Sequence, residues 1–119
     1  MGSRPTDDGD DGGVTDPGTD AVLGALADPT RRALLDALAA RGQASASVLA
    51  ADLPVSRQAI VKHLGVLSEA GLVEPERSGR EVRYTVRSES LAATASWMSA
   101  LADRWDRRLR TIKRAAEQQ

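Results

Sequence analysis

Apolar positions along this chain recur first at helical spacing, then at alternate residues, then at helical spacing again. Ala21, Val22, Leu23, Ala25 and Leu26 mark a short apolar helix, with Thr19 or Asp20 as its cap. Asp28-Pro29-Thr30 opens a second helix, because proline at the first helical position loses no hydrogen bond. Ala33, Leu34, Ala37 and Leu38 give it a buried face, and Gly42 stops it after Arg41. A third helix starts at Ser45 or Ser47 and runs to about Asp52, with Val48, Leu49 and Leu53 expected inward. Leu53-Pro54-Val55 breaks it. Ser56 caps a fourth helix that continues to Ala70 and ends at Gly71, a favoured left-handed position. Two helices joined by so short a turn form a helix-turn-helix layout.

After Gly71 the period becomes two. Leu72 and Val73 open an extended segment, Ser78-Gly79-Arg80 is a turn, and residues 81–87 alternate. Val82, Tyr84 and Val86 point one way; Glu81, Arg83, Thr85 and Arg87 point the other, as in a half-buried hairpin strand. Pro75 cannot donate a ladder bond, so its strand is expected at an edge or bulged. A short piece near Ala44 is the one further sheet partner in view. Ser88 or Ser90 then starts a helix to about Glu117. Leu91, Ala95, Met98, Ala102, Trp105, Leu109, Ile112 and Ala116 step alternately by four and three, a heptad seam that Trp97, Leu101 and Ala115 widen.

Charge changes the picture at the N-terminus. The whole chain has 16 basic and 17 acidic side chains, a net of −1. Residues 1–20 hold six aspartates and one arginine, so the remaining residues carry a net of +4. Residues 1–18 include five glycines and two prolines and too little apolar area to offset the cost of ordering. They are expected to be a disordered acidic leader before a single domain over 19–119. With no cysteine there is no disulfide, thiolate metal site or thiol nucleophile. No apolar run is long enough to span a bilayer, and a cytoplasmic location is expected.

Candidate chemistry concentrates on the fourth helix. Ile60, Leu64 and Leu67 must face inward, leaving Arg57, Gln58, Ala59, Val61, Lys62 and Gly65 outward. Ser56, Arg57, Gln58, Ala59 and Lys62 supply groups that match major-groove base edges and phosphates: Arg suits guanine, Gln adenine, a methyl thymine. His63, the one histidine, flanks the inward face and is expected to pack or to touch a phosphate rather than hold a metal. Arg77, Arg80, Arg83 and Arg87 arm the hairpin, placed to reach the DNA backbone or minor groove. No catalytic spacing or phosphate loop is present, so no enzyme is expected. The final helix, of roughly 26 residues and about 39 Å, is too long for one small body. Its seam, with Leu91, Met98, Leu101, Trp105, Leu109 and Ile112, is core, two-fold interface, or both, and the interface is favoured.

These segments carry a resemblance. Asp28-Pro29-Thr30-Arg31-Arg32-Ala33-Leu34-Leu35, residues 56–73 and Gly79-Arg80-Glu81-Val82-Arg83-Tyr84 resemble the ArsR family of winged helix-turn-helix repressors over roughly residues 20–117. The resemblance implies a mainly α fold with a small β-hairpin and a long C-terminal dimerisation helix over about 90–117. It also implies a homodimer that represses transcription on double-stranded DNA. Ser56, Arg57, Gln58, Ala59, Lys62 and His63 would then lie on the recognition helix and Arg77, Arg80 and Arg83 on the wing. The chain resembles the branch without metal-binding cysteines, so no metal and no cofactor are expected. Regulation is either by a small organic ligand between the last helix and the body or by no effector at all. A rival expectation is a winged helix that dimerises and docks a protein without touching DNA; that would need an apolar patch where Arg57, Gln58 and Lys62 stand.

Overall fold

The computed structural model describes residues 17–118, so all but the last two positions of the expected acidic leader lie outside the described residues. Helix α1 (Pro17–Leu26) begins two residues ahead of the expected cap at Thr19, with proline in its first turn, where a missing N–H costs little. Helix α2 (Pro29–Arg41) is capped by Asp28, whose side chain accepts from the Arg31 N–H, and stops at Gly42, which adopts φ 83°. A two-residue strand β1 (Ala44–Ser45) leads into α3 (Ala46–Asp52), capped by the Ser45 hydroxyl. Helix α4 (Arg57–Glu69) follows, capped by Ser56. Strands β2 (Val73–Ser78) and β3 (Glu81–Val86) form the hairpin, and α5 (Glu89–Glu117) closes the chain with 29 residues.

The exit from α4 shows why the sequence folds as it does here. The Gly71 N–H bonds the Ser68 carbonyl at 3.0 Å and the Leu72 N–H bonds Leu67 at 2.9 Å, the paired closure that a left-handed residue permits after a helix. Gly71 has φ 77°, and a Cβ there would meet Ser90 Oγ at 2.6 Å. The positive φ is what calls for glycine, since the Ser90 hydroxyl could rotate away from a Cβ. Leu67 and Leu72, bracketing the turn, are fully buried and tie it to the core.

The sheet is antiparallel in the order β1-β3-β2. Ala44 pairs with Tyr84, so the short partner near Ala44 exists, and Pro75 lies opposite Tyr84 on the edge strand β2 without a bulge. Gly79, at φ 65°, supplies the left-handed position of a two-residue hairpin loop. Thr85 is half-buried alongside Val82, Tyr84 and Val86, so the alternation is less clean than expected.

The core is aliphatic: Val22, Leu34, Leu38, Leu49, Ile60, Leu64, Leu67 and Leu72 are its largest buried side chains. Val48, expected inward, is exposed, because Ala46 and Leu49 take the inner face of so short a helix. Neither tryptophan joins this core; both sit on α5, whose packing against the body is chiefly through α1.

Candidate nucleic-acid interface

Helix α4 sits between a sealed inner face and an open outer one. Ile60, Leu64 and Leu67 have no solvent exposure, held by α1, α2 and α3. At 100° per residue, Gln58, Lys62 and Gly65 lie within a narrow arc opposite them, and all three are exposed. A Cβ on Gly65 would touch nothing within 4 Å, so this face is clear of the protein's own atoms. The same rotation puts Arg57 and His63 on the two flanks, and each flank is tied to a neighbouring helix.

On one flank the Arg57 Nε–H donates to Ser47 Oγ at 3.0 Å, linking the first turn of α4 to the first turn of α3. On the other, half-buried His63 accepts from an Arg31 terminal nitrogen at 3.4 Å through Nδ1, with the Asp28 carboxylate at 3.8 Å. Of the expected recognition residues, Arg57, Gln58 and Lys62 thus present polar groups outward. Ser56, though exposed, has its oxygen bonded to the Ala59 N–H at 3.1 Å, and Ala59 is half-buried. His63 lies half-buried in the packed flank, against Arg31 and Asp28.

The wing carries Arg77, Arg80 and Arg83 in solvent. Arg77 and Arg80 have no hydrogen-bonded partner among the described residues, whereas Arg83 donates to Glu81 at 3.3 Å. Arg87 is turned away from the tip, bound to Glu74 and Glu89 near the base of the hairpin. Between the wing and the starts of α3 and α4 lies an open cleft of about 420 Å3, lined by Ser45, Ser47, Arg57, Val61, Arg80 and Tyr84 among others.

Two arginines that pattern analysis left unassigned complete the support. Arg31 donates to the Ala25 carbonyl at 2.7 Å and to Gly24 at 3.1 Å, and Arg32 donates to Leu26 at 2.6 Å. They satisfy the carbonyls at the end of α1, where a cation also suits the helix dipole. Arg31 therefore connects α1, the N-terminus of α2 and the flank of α4. The signal lay in adjacent arginines just after Pro29, but their acceptors come from the preceding helix and a histidine 32 residues away.

The expected interface helix divides along its length. Thr94 is buried, and Trp97 and Leu101, three and seven residues on, are half-buried on the same side. Trp105 and Ile112, 11 and 18 residues beyond Thr94, continue that face past the end of the body, and with Leu91, Met98 and Leu109 they are exposed, Trp105 by 60% and Leu109 by 64%. Within the protomer, Thr94, Trp97 and Leu101 supply the packed side of α5. Beyond Leu101 every described α5 residue is exposed. At 1.5 Å per residue the helix is about 44 Å long, and its distal half extends past the body.

Two carboxylates are shifted by neighbours. The hydrogen bond from Arg41 holds the Asp52 carboxyl below its ordinary range, joining the ends of α2 and α3. Glu89 is also lowered, chiefly by its own backbone N–H at the start of α5 and then by Arg87. Among the described residues no three of His, Cys, Asp and Glu cluster to hold a metal, and no helix is long and apolar enough to cross a membrane.

A helix-turn-helix domain family matches residues 26–76. The chain is 31% identical over 85 residues to the transcriptional repressor SdpR of Bacillus subtilis, an alignment spanning 71% of this chain and 93% of SdpR. An ArsR-like transcriptional regulator from Rhodococcus sp. RHA1 shares 46% identity and superposes with a TM-score of 0.75 over 83% of this chain and 92% of that one. The homodimeric winged helix-turn-helix DNA-binding domain of a possible ArsR-family regulator from Mycobacterium bovis, determined by solution NMR, superposes at 0.58 with 28% identity. That match spans 72% of this chain and 79% of that domain.

Proposed function

Because the chain belongs to the ArsR family of winged helix-turn-helix transcriptional regulators, we propose that it is a dimeric repressor that reads an inverted-repeat operator with the outer face of α4. One observation carries this: Gln58 and Lys62 are exposed, with nothing in front of Gly65, directly opposite a fully buried Ile60-Leu64-Leu67 face. A carboxamide there suits an adenine edge, and the ammonium suits a phosphate or guanine. Arg77 and Arg80 at the wing tip add backbone contacts that position the helix.

The dimer is built through α5. Met98, Trp105, Leu109 and Ile112 form an exposed apolar strip, and burying each large side chain is worth about 1.5–3 kcal/mol. Charge sets the orientation. Residues 89–103 carry only Glu89 and Asp103, whereas residues 104–117 carry six cations against two anions. An antiparallel pair lays each basic end along the partner's acidic end; a parallel pair would stack like charge on like. The two α4 helices then enter successive major grooves roughly 34–36 Å apart.

The test is enrichment of duplexes from a randomised library, followed by gel shifts at two salt concentrations. An inverted repeat whose affinity falls steeply with salt is the expected result. Failure to bind any duplex would reject the proposal, and enrichment of an unrepeated site would reject its two-fold form. For an effector, the groove between α1, α2, the wing base and the start of α5 offers about 400 Å3 over Leu26, Leu35, Leu72, Val86 and Leu91. A thermal-shift screen without any stabilising compound would count against that use.

A further inference from the structure

The cleft between the wing and the helix-turn-helix has a chemistry that the base-reading face does not share. Its walls come from three separate elements. Arg57 opens α4, Ser47 opens α3, and Arg80 occupies the wing turn. Arg57 stands out because it is exposed yet tethered: its Nε–H is held by Ser47 Oγ, while its two terminal nitrogens have no protein partner among the described residues. A guanidinium is planar, and holding its Nε–H fixes the direction in which its terminal N–H groups face, as a fork that matches the oxygens of a phosphate. Arg80, on the opposite wall, likewise has no partner among the described residues, and Tyr84 lines the cleft behind them. Glu81 also lines the cleft, and its carboxylate accepts from Arg83 at 3.3 Å.

From this geometry we infer that the cleft is a seat for one phosphodiester of the DNA backbone, gripped by Arg57 and Arg80 from opposite walls, with Ser47 as the positioning residue that aims Arg57. The inference rests on the DNA-binding function proposed above and revises one residue within it. Arg57 is expected from sequence to pair with guanine, but its place on the flank of α4, some 100° from Gln58 around the helix axis, points it along the protein surface. Base discrimination then falls to Gln58 and Lys62, and Arg57 supplies register.

Phosphate and base contacts differ in what they do to affinity, which makes the seat testable. Arg57→Ala, Arg80→Ala, the double variant, Ser47→Ala and Gln58→Ala would be titrated by fluorescence anisotropy across a salt series. The probes are a duplex enriched by the wild-type protein and a scrambled duplex of equal length. Arg57→Ala and Arg80→Ala should each weaken both duplexes by the same factor, roughly three- to tenfold, and lower the salt slope by about 1. Because they share one phosphate, the double variant should lose about the same slope as either single one. Ser47→Ala should give a smaller uniform loss that vanishes in the Arg57→Ala background, a non-additivity that a merely structural role would not produce. Gln58→Ala should lose affinity for the enriched duplex alone. A changed base preference in Arg57→Ala, an unchanged salt slope, or a doubled slope loss in the double variant would overturn the seat while leaving DNA binding intact. Failure of the wild-type protein to bind either duplex would instead overturn the regulator proposal beneath it.

Discussion

Helices α4 and α5 solve opposite problems. The inner face of α4 is fully sealed, both ends are capped or closed by a glycine turn, and its two flanks are tied to α3 and α2. Only one narrow polar arc is left open. Helix α5 is more than twice as long, packs through Thr94, Trp97 and Leu101, and leaves Met98, Trp105, Leu109 and Ile112 in water. The protomer is complete around its recognition helix and incomplete around its last helix. Under the proposed function, a rigid reader joined to an unfinished interface is what reading an operator with two copies at a fixed separation would require.

The comparison breaks most sharply at the seam. Trp105→Asp should convert the dimer to a monomer in sedimentation equilibrium and abolish binding to an inverted repeat, while far-ultraviolet dichroism and melting of the protomer stay close to wild type. A charge at that position is solvated in the protomer but unpaired in an interface. The reverse pattern belongs to α4. Leu64→Ala should leave assembly in place yet cost about 2–5 kcal/mol of folding free energy by denaturant titration, because it opens a cavity where four elements meet.

Smaller changes sharpen the contrast within α4. Gln58→Ala should cost about 1–3 kcal/mol against the preferred duplex and relax discrimination at one base pair, with no change in melting temperature. Ser56→Ala, two residues away, should do the converse, costing about 1 kcal/mol of stability through the lost cap and little discrimination.

Legibility from sequence followed the range of the interaction. Asp28 and Ser56 as caps, Gly42 and Gly71 as stops, and the Gly79 turn were readable because each acts on backbone within a few residues, while Ser45 and Ser47 stayed equal candidates until the fold chose Ser45. The inward triplet of α4 was readable from period, whereas the sequence offered a short piece near Ala44 as a sheet partner without its register, which pairs Ala44 with Tyr84. What stayed hidden was tertiary. Nothing local says that Arg31 reaches both the end of α1 and His63, or that Ser47 holds Arg57. The seam of α5 was legible as a stripe, but its period could not tell that the body ends after Leu101 and leaves the rest of the stripe exposed.

The smallest effect expected is acid sensitivity at the α2–α3 junction. The Asp52 carboxyl is held low by Arg41, so its contribution is present above the ordinary carboxylate range and fades as pH falls through its lowered folded value. Asp52→Asn should therefore melt slightly below wild type near neutrality, with the two curves converging in strong acid. Both side chains are well exposed, so the difference should be slight.

The central claim is that two protomers, joined through the distal half of α5, present two α4 helices to one duplex. Sedimentation velocity on a fluorescent duplex carrying the enriched inverted repeat tests it most directly. The account predicts that wild-type protein adds two protomers to each duplex in a single cooperative step and that Trp105→Asp forms no such complex. A single protomer occupying the duplex with undiminished affinity would contradict it.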